Sequence, residues 1–251
     1  MRLHGSCEEL RSPFDLRSLA ATLAAADPRF LVWKGGRELQ TQGDLDCAAP
    51  RASWAVLAQA FGAWSRARGL TAMVTCAHAP GTLVLVGCGG TAESKLLQVD
   101  LVEELLVHGA PAWNAADAAA ARASLDGIPH TLPGAEGVLR RLAHRSDAAG
   151  LELVTSDPPA AERITRRLGV RGRLAARPDA VGTRLLLEAV LAARSFLHPI
   201  SVVRALSSDR ARWGCCVLRA LRRDRTIEGD VDEWLDEAAR NHDVRRLATV
   251  P

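Results

Sequence analysis

The stretch Phe30-Leu31-Val32-Trp33-Lys34-Gly35-Gly36-Arg37-Glu38-Leu39-Gln40-Thr41-Gln42-Gly43-Asp44-Leu45-Asp46-Cys47 reads as strand, turn, strand. A short apolar run ends at a glycine pair, a polar segment follows, and alternation of polar and apolar residues resumes at Asp44. Residues two apart on a strand face the same side, so Asp44 and Asp46 project together with about 7 Å between their Cα atoms, and Leu45 and Cys47 face the other layer.

The flanking sequence supplies the layers that such strands need. Upstream, Phe14 to Ala26 is rich in Ala and Leu, with Asp15 near its start and Asp27-Pro28 at its end, the pattern of a helix covering a sheet. Downstream, Trp54, Leu57, Ala58, Phe61 and Trp64 recur at steps of three and four, which predicts an amphipathic helix from Ala52 to Arg68 ended by Gly69. Thr71 to Ala77, Thr82 to Val86 and Leu96 to Val102 are strand candidates on short connections, hence an antiparallel meander. The Gly87-Cys88-Gly89-Gly90 run lacks dinucleotide or P-loop spacing and reads as a hairpin turn.

Beyond Asn114 the strand signals fade. Helices are expected at about 114–125, 135–145, 159–168, 180–197, 200–206, 209–221 and 230–240. Gly127-Ile128-Pro129 and Leu132-Pro133-Gly134 interrupt the pattern, which places a boundary near residue 130. The expected architecture is α/β (α+β): a mixed sheet with flanking helices over residues 1–130, followed by a helical C-terminal domain over 131–251.

Two neighbouring carboxylates repel each other and lose hydration in a cleft, and a divalent cation offsets both effects. Asp100, in Leu97-Gln98-Val99-Asp100-Leu101, is a third carboxylate on an apolar strand, where isolation would be expensive. Three carboxylates can hold the paired metal ions that serve phosphoryl transfer. Gly35-Gly36 allows backbone N–H groups to approach phosphate oxygens without a Cβ in the way, with Lys34, Arg37 or Lys95 adding positive charge.

Lys34-Gly35-Gly36, then Asp44-Leu45-Asp46, then Val99-Asp100-Leu101 resembles the DNA polymerase β-like nucleotidyltransferase superfamily, whose pattern is a Gly-Gly or Gly-Ser turn, an Asp-x-Asp strand and a later strand aspartate. The resemblance covers about residues 14 to 130. It implies that Asp44, Asp46 and Asp100 hold magnesium, that Asp100 helps deprotonate an acceptor hydroxyl, and that Gly35-Gly36 hold the triphosphate of an NTP, ATP first among them. The implied reaction moves a nucleoside monophosphate to a hydroxyl with release of pyrophosphate. The chain departs from the pattern in one respect: only seven residues separate Gly36 from Asp44. That short loop supports the alternative of a non-catalytic nucleotide-binding or interaction module.

Composition narrows the partners. The cysteines at 7, 47, 76, 88, 215 and 216 show no CxxC spacing, and the histidines form no close ligand pair, with His108 placed nearest the third aspartate. Glu103-Glu104 reads as a solvated strand end more readily than as extra metal ligands. The net charge is +3, tyrosine is absent, and Lys34 and Lys95 are the only lysines. Without a basic stripe interleaved with aromatics, a small-molecule acceptor is favoured over RNA. An RNA- or protein-directed, toxin-like transferase is the rival, and it would present a continuous arginine face drawn from Arg140, Arg141, Arg163, Arg166 and Arg167. No apolar run reaches the roughly 20 residues that cross a bilayer, and the N-terminus lacks a signal-peptide pattern, so a cytoplasmic protein with no membrane partner is expected.

Overall fold

The computed structural model describes residues 15–37, 39, 44–79, 81–88, 97–144, 147–178, 181–197 and 243–246. Helix α1 (Leu16–Ala26) begins where the Asp15 side chain accepts from Ser18 N at 2.9 Å, and it buries Leu16, Leu19, Ala20 and Leu23. Strands β1 (Leu31–Val32) and β2 (Asp44–Ala48) pair antiparallel across the glycine turn. A 3-10 turn at Arg51–Ser53 leads into α2 (Trp54–Ala67), which packs on α1, with Trp64 Nε1 donating to Ser18 Oγ at 3.2 Å. Strands β3 (Ala72–Ala79), β4 (Thr82–Cys88) and β5 (Leu97–Val102) form the expected antiparallel meander.

The segment from 103 to 131 departs from the expected helix at 114–125. Strands β6 (Glu104–Val107) and β7 (Ala110–Asn114) form a separate hairpin, and α3 (Ala115–Ala119) is one short helix closed by an Asn114–Asp117 capping box. Strands β8 (Arg122–Leu125) and β9 (Ile128–Thr131) then form a second hairpin. The turns are His108-Gly109 and Asp126-Gly127, all four residues with positive φ, the backbone that tight hairpin turns require. Asp126-Gly127 was therefore a hairpin signal inside what reads as a break between domains. It is hard to see in the sequence because β8 is short and largely exposed.

Helices α4 (Pro133–Ala143), α5 (Ala148–Ser156), α6 (Pro158–Leu168), α7 (Val170–Ala175) and α8 (Val181–Leu197) follow. The helices expected at 200–206, 209–221 and 230–240 lie outside the described residues. Strand β10 (Asp243–Arg246) pairs antiparallel with β3. The main sheet runs β10-β3-β4-β5-β2-β1-β9-β8, parallel at β2/β5 and β1/β9 and antiparallel elsewhere, so the protein is mixed α/β around a mixed sheet.

Each face of the sheet has its own core. Leu45, Cys47, Val99 and Leu101 pack with Leu19, Leu23, Leu57 and Phe61 beneath α1 and α2. On the other face, Trp33, Ala48 and Val102 join Trp113, Val138, Leu142, Ile164 and Leu191 beneath the later helices. Alternation along β2 and β5 thus sends Asp44, Asp46 and Asp100 to the second face.

Candidate active site

Strands β2 and β5 run parallel in a register that makes Asp46 and Asp100 direct partners and sets Asp44 opposite Gln98. Carboxylates that sequence separates by more than fifty positions thereby become neighbours on one face. Asp46 is buried, while Asp44 and Asp100 are partly exposed. Gln98 Nε2 donates to Asp100 Oδ1 at 2.7 Å and so orients it. Burial, together with the negative charge of Asp46 and Asp100, pushes the Cys47 thiol well above its ordinary value, so Cys47 is a neutral wall behind the cluster.

The Lys34 ammonium faces these carboxylates, with Nζ 2.5 Å from Asp46 Oδ2. Burial pulls the Lys34 pKa down, but the attraction of Asp46 and Asp44 outweighs it and holds the group above the usual lysine range. The donor set suits a hard divalent cation, being all oxygen and on one side of the sheet. Among the described residues, no three His, Cys, Asp or Glu side chains are drawn into a coordination group; Lys34 compensates Asp46 instead.

The turn beside Lys34 is built for close backbone approach. Gly35 has φ of 69°, a conformation that L side chains avoid. A Cβ on Gly36 would lie 2.6 Å from His130 Cβ on β9, so the side chain of His130 excludes anything larger than glycine there. Burial lowers the His130 pKa, and the nearby Arg37 adds to that. His130 is thus the histidine at the turn, whereas His108, expected nearest the aspartates, pairs with Glu188 on α8 at 2.7 Å. Glu103 is taken up by Arg51, its Oε1 accepting from Arg51 N at 3.1 Å.

A cavity of about 330 Å³ opens beside the turn, and Asp44, Asp46 and Asp100 are not among the residues that line it; its volume is at the small end of the range for ligand sites. Lys34, Gly35 and Arg37 form one wall; Thr131, Pro133, Glu136 and Arg140 form the second; Glu152 and Ser156 of α5 stand on the third. Among the described residues, the buried Thr131 hydroxyl has no hydrogen-bond partner. Glu136 Oε1 accepts from Gly35 N at 2.9 Å. Burial pushes the Glu136 carboxyl above the usual glutamate value, against the opposing pull of Gly35 N–H, Arg140 and Lys34. Arg140 donates to Asp147 from Nε at 2.7 Å and lies 3.6 Å from Glu136 Oε1.

Of the residues the sequence singled out, Asp44, Asp46, Asp100, Lys34 and Gly35 meet at one place, Gly36 supports the turn against His130, and Arg37 is exposed at the cavity rim. Lys95 lies outside the described residues. Glu136, Thr131, Glu152 and Ser156 were not foreseen. The one available signal was Glu136 and Arg140 at helical i, i+4 spacing just after Pro133-Gly134. The arginine face that an RNA- or protein-directed transferase would present is interrupted: Arg141 is buried, donating to the carbonyls of Ala175 and Arg177, Arg140 is held by Asp147, and Arg167 donates to Asp117 at 2.6 Å. No protein-family model matches this chain, and no curated protein or solved structure matches it either.

Proposed function

We propose that the protein is a magnesium-dependent nucleotidyltransferase that moves a nucleoside monophosphate from an NTP, ATP first among them, to a hydroxyl on a small molecule. The observation that carries this reading is the parallel register of Asp46 with Asp100, with Asp44 on the same face and Lys34-Gly35-Gly36 alongside. The resemblance to the polymerase β-like superfamily rests on the same residues.

Magnesium held by Asp44, Asp46 and Asp100 would neutralise phosphate charge and align the attacking and leaving oxygens. The chain's own groups do the rest. Gly35 offers its N–H to a phosphate oxygen, and Lys34 and Arg37 bring positive charge to the same wall. With magnesium held at Asp46, Lys34 would be free to turn its ammonium from that carboxylate to the phosphates. Asp100, oriented by Gln98, takes the acceptor's proton as the acceptor oxygen bonds to the α-phosphorus and the bond to pyrophosphate breaks. A small acceptor is supported by the engaged or buried state of Arg140, Arg141 and Arg167.

The Lys34–Asp46 pair also favours a second reading, a nucleotide-binding module without catalysis, because an ammonium can satisfy the carboxylate with no metal. Calorimetry with each of the four NTPs, with and without Mg²⁺, separates the two. Magnesium-dependent binding that Asp44→Asn/Asp46→Asn abolishes while the fold persists supports the enzyme. NTP binding indifferent to Mg²⁺ and to the substitutions supports the module, and no binding to any NTP removes both.

A further inference from the structure

We infer that Glu136 is a built-in competitor for the phosphate turn: its carboxylate occupies the Gly35 amide until a phosphate group takes its place. The inference rests on the reading of Gly35 as a phosphate donor given above. The amide has a partner already, the Glu136 carboxylate at 2.9 Å, projected from a different element, α4, across the cavity. A carboxylate oxygen and a phosphate oxygen ask for the same N–H and carry the same sign of charge, so both cannot occupy the position fully ionised.

The geometry provides for the exchange. Glu136 opens onto the cavity, where a displaced side chain has room, and Arg140 stands one helical turn along α4 at 3.6 Å to receive it. Position along α4 is tightly set, because Gly134 and Gly137 press the helix onto its neighbours. A Cβ on Gly134 would meet Asp157 O at 1.9 Å, and one on Gly137 would meet Gly150 O at 2.4 Å. These close contacts seat α4 against α5 and α6, so the exchange asks only for a turn of the Glu136 side chain.

The charged and titratable groups around Glu136 are Lys34 and Arg37 from the turn, Arg140 from its own helix, Asp147 and Glu152 from the α5 side, and, behind the turn, His130 from β9. Asp157 of α6 is engaged on Ala160 N, and Asp117 of α3 on Arg167. Against this background the competitor acts only while Glu136 is ionised. Its raised proton affinity makes that state the one lost as pH falls.

The test is calorimetric binding of inorganic pyrophosphate in Mg²⁺ to the full-length wild type, Glu136→Gln and Glu136→Ala, with Glu162→Gln on the exposed face of α6 as the control for lost charge. Glu136→Gln keeps an oxygen for the Gly35 amide and removes the charge. It should bind pyrophosphate at least about tenfold more tightly than wild type, Glu136→Ala should also gain affinity, and Glu162→Gln should match wild type. The gap between wild type and Glu136→Gln should close as pH falls through the Glu136 titration. A gain in affinity cannot come from damage to the fold. Equal or weaker binding by both Glu136 variants overturns the inference and leaves the phosphate turn standing. Failure of every protein, wild type included, to bind pyrophosphate overturns the reading of the turn and the inference with it.

Discussion

At the scale of single residues, several charges of the site each have a named partner. Lys34 is set against Asp46, Glu136 against the Gly35 amide, and Arg140 against Asp147. Asp147 carries a consequence for acid stability. Burial raises its pKa, but the Arg140 hydrogen bonds and the Gly150 amide outweigh burial and leave it below the usual aspartate value. A carboxyl depressed in the folded state contributes stability that is present above its unfolded pKa and lost as pH falls toward the folded one. Asp147→Asn, which still caps α5 through its side-chain oxygen, should therefore reduce stability at about pH 6 by roughly 1 kcal/mol. Its stability should also change less than that of wild type as pH falls below about 4. Urea midpoints measured across that window check both parts. Parallel acid limbs for the two proteins would remove Asp147 from the account.

The elements show where local pattern was sufficient and where it was not. Helices α1, α2, α4, α6 and α8 stand where apolar spacing and capping residues place them, because an amphipathic helix writes its burial into steps of three and four. The β6–β7 and β8–β9 hairpins were not legible, since their strands are short and mostly lack alternation and their identity comes from pairing with a neighbour. Helix α5 is not legible in the sequence for a related reason: it buries only Gly150 and Val154, too little to leave a stripe. The α4–α5 contact is the element-level feature most exposed to mutation. Gly137→Ala would push a methyl to 2.4 Å from the Gly150 carbonyl, so the helices must separate. A loss of about 1–3 kcal/mol is expected, read as a lower melting temperature. Pyrophosphate affinity should change with it, because α4 carries Glu136 and Arg140.

For the molecule as a whole, one sheet divides two cores, and the aspartates emerge on the face shared with the later helices. Among the described residues, no helix is long and apolar enough to cross a membrane. Strand β10 closes one side of the sheet by pairing four residues with β3. Removing residues 243–251 should expose the β3 edge, lower stability by about 1–3 kcal/mol and promote association. Melting curves and light scattering on the truncated chain check this, and unchanged values for both would make the β10 pairing dispensable.

What the sequence determined alone is the local part of the site: a glycine turn, two carboxylates on one side of a strand, and a third on a strand of its own. These follow from short-range rules, the twofold period of strands and the freedom of glycine, which hold wherever the chain goes next. Tertiary structure alone decided that Asp46 faces Asp100, that Lys34 neutralises Asp46, that His130 backs Gly36, and that Glu136 reaches Gly35 from 101 residues further along the chain. Those relations depend on parallel register and on helix packing, and no spacing in the linear chain encodes either one by itself.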